Sequence, residues 1–150
     1  MKTYLIPFIL AFTVTLSTHG QDMTLDKLKL ILAKEATIKK DNENMVIYEF
    51  KGSEVYLIAD ENANRMRIMT AVIEEEKLNK EDFKILMEAN FDRALDAKYA
   101  LTDGILWAVF VHPLEELHAI QAVDAFHQVR SLVLNYGTTY SSTNMIFGGE

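Results

Sequence analysis

Apolar positions along this chain recur with two periods, and the switches between them mark its elements. Thr24 can cap a helix in which Leu25, Leu28, Ile31 and Leu32 follow a single face, and this first helix is predicted to end near Ala36. The stretch from Lys39 to Asn44 is charged and polar and reads as a connector. Met45 to Phe50, rich in Val, Ile, Tyr and Phe, then carries a strand signature. Lys51, Gly52 and Ser53 make a tight turn into Glu54 to Asp60, where Val55, Leu57 and Ala59 alternate with Glu54, Tyr56 and Ile58. After a polar turn over Glu61 to Asn64, Arg65 to Ile73 alternates again, with Met66, Ile68, Thr70 and Val72 on one side. A three-strand meander is expected.

The period then returns to that of a helix. Asn79 is placed as an N-cap with Asp82 at N3, and Phe83, Leu86, Met87, Asn90 and Phe91 follow along one side. Tyr99 to Thr102 and Ile105 to His112 flank Asp103-Gly104, a pair whose left-handed backbone preference closes a type I′ hairpin. Pro113 lacks an N–H and stops the last strand, and Glu115 with Glu116 suits the positive end of a helix dipole. The third helix is expected to run to about Tyr136 on a stripe of Ala119, Val123, Phe126, Val129 and Val133, with Gly137 as its left-handed stop. The predicted order is αβββαββα. With helices covering one face of an antiparallel five-stranded sheet, the fold class is an α+β two-layer sandwich.

Residues 1–20 do not belong to that pattern. Lys2 supplies a positive start, Tyr4 to Val14 a short apolar run, and Thr18 and Gly20 the small residues a signal peptidase accepts. The run is too short to span a bilayer. The chain is therefore expected to carry a signal peptide over 1–20, cut after Gly20, a domain over 21–137 and a flexible tail over 138–150. That implies a periplasmic or secreted product with no stable membrane anchor after cleavage.

Charge narrows the partners. The 15 Lys and Arg stand against 22 Asp and Glu, a net charge of −7, and no basic face survives that balance, so nucleic acid is an unfavourable ligand. Cysteine is absent, which removes thiol catalysis, a lipid anchor on cysteine and any Cys-ligated metal. Glu115/His118 and Asp124/His127 share an acid-x-x-His spacing, but the pairs lie nine residues apart, about half a revolution at roughly 100° per residue, so they face opposite sides and cannot share one ion. Ser53, Ser131, Ser141 and Ser142 lie in no nucleophile elbow, and no glycine-rich phosphate loop follows a strand. No enzymatic activity, metal or cofactor is expected. A sensor or hydrolase using a pocket near His112, Glu115 and His118 is the alternative.

The sequence Ile85-Leu86-Met87-Glu88-Ala89-Asn90-Phe91, then a hairpin on Asp103-Gly104 and the corner His112-Pro113-Leu114, resembles the secretion-chaperone-like fold shared by the Tir/CesT-type type III secretion chaperones and the YbjN-like proteins. By residue pattern the resemblance spans about residues 85–116; by element order it spans most of the chain. It implies a small acidic homodimer and a protein or extended peptide as client. Those chaperones work in the cytoplasm, so no type III client is carried over to a chain with an export signal.

Ile105 to Val111 is apolar on both sides, with Ile105, Trp107, Val109 and Val111 on one and Leu106, Ala108 and Phe110 on the other. Both faces of that strand should be covered, one by helices and one by a partner. Phe91, Leu106 and Phe110 are the candidate partner or dimer contacts.

Overall fold

The computed structural model describes residues 22–143, and the expected signal peptide and the end of the tail lie outside them. Three helices and one antiparallel sheet form an α+β fold. The helices are α1 (Leu25–Leu32), α2 (Lys80–Asp92) and α3 (Ala119–Leu134). The strands are β1 (Thr37–Asp41), β2 (Met45–Phe50), β3 (Ser53–Asp60), β4 (Arg65–Glu74), β5 (Lys98–Thr102) and β6 (Ile105–His112). The sheet order is β1-β2-β3-β4-β6-β5.

The sheet thus has six strands rather than five, and the element order gains a strand after the first helix. The added strand is β1, within the stretch expected to be a connector. It pairs with β2 from Thr37 opposite Glu49 to Asp41 opposite Val46, with a bulge between Ile38 and Lys40. All five of its residues are exposed. An edge strand with neither face covered needs no apolar alternation, and its charges and bulge discourage pairing with other chains. Periodicity has nothing to detect there.

The expected hairpins form. Asp103 (φ +52°) and Gly104 (φ +72°) adopt the left-handed conformation of a type I′ turn. Asn79 Oδ1 accepts from the Glu81 and Asp82 N–H groups at 2.8 and 3.2 Å, and Asp82 Oδ2 accepts from Asn79 N–H at 2.8 Å, a complete capping box for α2. The third helix starts later than expected, at Ala119: a turn from Leu114 to Leu117 precedes it, and His118 is its N-cap, with the His118 N–H donating to Gln121 Oε1 at 3.0 Å. Its buried face is also turned from the expected stripe. Ala122, Ala125, Phe126, Val129 and Leu132 are buried, while Ala119 is exposed and Val123 and Val133 lie at the margin.

One face of the sheet carries the core. α3 lies across β4 and β6 and beside α1, over the inward side chains of Val46, Tyr48, Phe50, Leu57, Ile68 and Phe110. Phe126 sits at the centre, edge-on to Tyr48 (5.3 Å) and Phe50 (5.4 Å). Burial, with a lesser push from the Asp41 carboxylate, raises the Tyr48 phenol above its ordinary range, and burial does the same to Tyr99. The fold therefore holds both phenols neutral. That contribution is complete below about pH 10, where an unfolded tyrosine ionises, and is lost as pH rises through the folded-state values. The Tyr48 hydroxyl has no hydrogen-bond partner among the described residues, whereas that of Tyr99 donates to the Leu132 carbonyl at 2.7 Å. Tyr48→Phe is expected to match or exceed the parent in stability at pH 8, by up to about 1 kcal/mol, and to lose less between pH 8 and 11. Urea unfolding at the two pH values checks both.

The segment between α2 and β5 has its polar groups met from elsewhere in the chain. Gln128 Oε1 accepts from the Asp96 and Ala97 N–H groups at 3.0 Å each. Lys98 Nζ donates to the Asn90 and Ala94 carbonyls at 2.7 Å, placing a cation at the negative end of α2. In the segment expected to be a flexible tail, Thr138 and Thr139 are exposed, while Ser141 and Ser142 pack against the α2–β5 connection. Ser141 and Ser142 are buried, Ser142 Oγ accepts from Leu95 N–H at 2.6 Å, and Ser141 Oγ donates to the Arg93 carbonyl at 3.2 Å. Orphan backbone groups at the end of α2 recruit Ser141 and Ser142, a demand invisible in the local composition of residues 138–143.

Candidate docking surfaces

All three helices leave one face of the sheet uncovered. The pleat sends Val46, Tyr48, Val55, Leu57, Ile68 and Ala108 to the helices and every alternate residue to the opposite side. Cross-strand register lines up Ile47, Tyr56, Met69 and Val109 in one row of that open side, and Met45, Ile58, Arg67 and Val111 in the next. Most of these apolar side chains are half-buried, screened only by their lateral neighbours, and Val111 is 55% exposed. Trp107 stands beside the first row, opposite Ala71 on β4 and Ala100 on β5, where the small neighbours give its ring room. It meets Tyr56 edge-on at 5.7 Å, and its indole N–H is shielded yet has no acceptor among the described residues. A contiguous apolar strip of this kind has the makings of an interaction surface.

The charges at the two ends of the strip differ. At the β1 end, Lys39 bridges Glu49 (3.0 Å) and Glu54 (3.4 Å), and Tyr56 donates its hydroxyl to Glu54 at 3.3 Å. The hydrogen bond and charge of Glu49 hold the Lys39 ammonium above its ordinary range. Burial, followed by the Glu54 carboxylate, raises the Tyr56 phenol. One ammonium against two carboxylates leaves this end net negative. At the β3–β4 turn, by contrast, neither Arg65 nor Arg67 forms an ion pair among the described residues.

A second exposed apolar feature lies on α2. Phe83, Met87 and Phe91 recur four residues apart and are 37%, 69% and 87% exposed, whereas Leu86 and Ala89 on the other side of the helix are buried. Asn90 fixes the helix to the sheet edge: its amide accepts from Tyr99 N–H at 2.7 Å and donates to the Tyr99 carbonyl at 2.9 Å, imitating a neighbouring strand.

Of the three candidate contacts, Phe91 is therefore the one at the surface. Leu106 and Phe110 are 2% and 5% exposed and belong to the core beneath the helices. The apolar face of β6 left without helices is that of Ile105, Trp107, Val109 and Val111, half-buried or exposed rather than covered. Two apolar faces on one strand carry the same signal in the sequence, and only the packing of α3 distinguishes them. The same double signal was present in β2, where Met45 and Ile47 alternate with Val46 and Tyr48, and it points to the open face equally well.

The residues of the alternative pocket are not gathered into one cavity. A cleft of about 330 Å³ is lined by His112 with Asp96, Lys98, Gln121 and Asp124, but not by Glu115 or His118. The His112 ring stacks on Phe110 at 5.9 Å, with Nδ1 2.7 Å from the Pro113 carbonyl oxygen. His118 precedes α3 as its N-cap, and Asp124 Oδ2 accepts from Gln128 Nε2 at 2.6 Å. Among the described residues no three His, Asp or Glu side chains are placed to hold a metal ion. Nor is any helix among them long and apolar enough to cross a membrane.

A chain of a solved structure described as the HopA1-SchA chaperone-effector complex superposes on this one with a TM-score of 0.57, covering 75% of this chain and 88% of the other at 11% identity. The two chains share a fold. At that identity the likeness is one of backbone architecture, carried here by different side chains. No family model and no curated protein matches the chain.

Proposed function

We propose that this chain is an exported, non-catalytic module that binds an extended segment of a client protein and works as a homodimer in the periplasm or outside the cell. The observation that carries the reading is the uncovered sheet face: a strip of apolar side chains with Trp107 beside it, on a fold like that of a chain in a chaperone–effector complex. Burying such a strip under a client removes apolar surface from water at roughly 25 cal/mol per Å², and the flat sheet accepts side chains at alternate positions of an extended segment. The Phe83, Met87 and Phe91 stripe offers a separate surface to a second copy, since four-residue spacing on a helix suits a partner helix laid alongside.

Two substitutions separate these surfaces. Val111→Asp, at an exposed position of the open face, is expected to abolish recovery of the client after in-cell crosslinking of the full-length protein, while leaving a dimer in sedimentation. Phe91→Asp is expected to yield a monomer. Identification of the same crosslinked polypeptide at undiminished yield with Val111→Asp overturns the client surface, and unchanged sedimentation with Phe91→Asp overturns the dimer surface. The same material reports the mature N-terminus, expected at Gln21.

A further inference from the structure

Two cations stand at one end of the open face, in a protein whose net charge is −7. Arg67 is exposed and lies in register between Ile58 on β3 and Val111 on β6, so it has an aliphatic residue beside it on each neighbouring strand. It makes no hydrogen bond or ion pair among the described residues. Arg65, two residues away and on the same face, donates only to the Asn64 carbonyl at 2.8 Å. Its cross-strand neighbour Asp60 is engaged by the Ala63 N–H at 3.0 Å. Both arginines line a groove of about 500 Å³ together with Ile58, Asp60, Ala63 and Val111, so the groove holds two cations against one carboxylate. The opposite end of the face, where Lys39 is held between Glu49 and Glu54, has one cation against two carboxylates and offers no free positive charge.

We infer that this groove receives an acidic side chain of the bound segment, so that the client is an extended polypeptide with a carboxylate two residues from an apolar contact. The inference rests on the client-binding reading above and adds the chemistry of the partner. The spacing follows from the pleat: residues on one face of an extended chain repeat every two positions, about 6.7 Å, the separation that carries β6 from Val109 to Val111, which stands beside Arg67. An apolar side chain over Val109 and Met69 then places the carboxylate two residues on against the guanidinium. A planar guanidinium pairs with a carboxylate through two parallel N–H···O bonds, and the aliphatic flanks exclude part of the water that would screen the pair. An acidic client approaching a net-negative protein is repelled elsewhere, so the two free arginines also set its register along the strip.

Trp107 is the single tryptophan of the chain, so its emission reports binding at this face directly. The probes are three pools of nine-residue peptides with Leu or Phe at positions 4 and 6 and Glu, Gln or Lys at both positions 2 and 8, which serves either chain direction. The Glu pool is expected to bind about tenfold more tightly than the Lys pool at low salt, with the advantage shrinking as salt is added. Arg67→Gln should reduce that preference to about twofold, and the Arg65→Glu/Arg67→Glu double variant should reverse it. Equal melting temperatures for parent and Arg67→Gln establish that the fold is intact. Equal binding of all three pools, unaltered by the variants, overturns the inference and leaves the client-binding reading standing. Absence of any Trp107 response from all pools, with client capture also insensitive to Val111→Asp, overturns both.

Discussion

Phe126→Ala is expected to lower the stability of the domain by about 4 kcal/mol, within the range of roughly 3–5 kcal/mol for removing a buried phenylalanine. The side chain is fully buried on α3 and joins that helix to β2 through its edge contacts with Tyr48 and Phe50. Its loss removes two aromatic pairs as well as buried area, and the cavity opens between a helix and a sheet, neither of which can collapse into it without dragging the other's register. Domains of this size hold only about 5–15 kcal/mol in total, so a large share of the stability goes with one ring. Urea denaturation at neutral pH measures it; a midpoint within 0.5 kcal/mol-equivalent of the parent, a figure of about the size of a surface substitution, would show that the ring does not anchor α3.

Gln128→Leu is expected to cost about 3 kcal/mol although the replacement is similar in size and more apolar. Gln128 is 1% exposed, and its amide accepts from two backbone N–H groups, of Asp96 and Ala97, while donating to Asp124 at 2.6 Å and Asp96 at 3.3 Å. Leucine leaves those N–H groups without an acceptor, at roughly 1–3 kcal/mol for each group that stays buried. The expected damage is local. Amide exchange should accelerate at Asp96 and Ala97, and the α2–β5 connection should loosen while the β2–β3–β4 meander keeps its protection. Because α2 presents the Phe83, Met87 and Phe91 stripe, the same variant should weaken the proposed dimer without touching its contact residues. Hydrogen exchange and sedimentation of one preparation test both effects; protection of Asp96 and Ala97 at parental levels would count against the assignment.

The elements that local chemistry controls could be read from the residues in order. Asn79 and Asp82 announce the start of α2, Asp103-Gly104 closes its hairpin, and the alternation of Val55, Leu57 and Ala59 sends those side chains to the core. Each depends on neighbours within a few positions, where backbone preference and side-chain reach are set by the residue itself. β1 escaped that reading because an exposed edge strand carries no apolar period. The late start and turned face of α3 escaped it because Leu114, Leu117 and Leu132 are buried by what they meet, not by their spacing alone.

The candidate site shows the same division most plainly. Phe91 was legible as an apolar residue of α2, but the sequence grouped it with Leu86 as well as Phe83 and Met87, and the structure buries Leu86 and leaves the other three at the surface. Leu106 and Phe110 were indistinguishable in the sequence from Trp107 and Val109, since a period of two assigns residues to faces without saying which face a helix will cover. Arg67 gave only a faint signal, one of two charges in the first half of β4, and its meaning depends on Ile58 and Val111, nine positions before it and forty-four after it in the chain. Turns, the cap of α2 and the alternation of strand residues follow from neighbours within a few positions. Which apolar face α3 buries and which remains open rests on contacts between residues far apart in the chain, and no local pattern contains them.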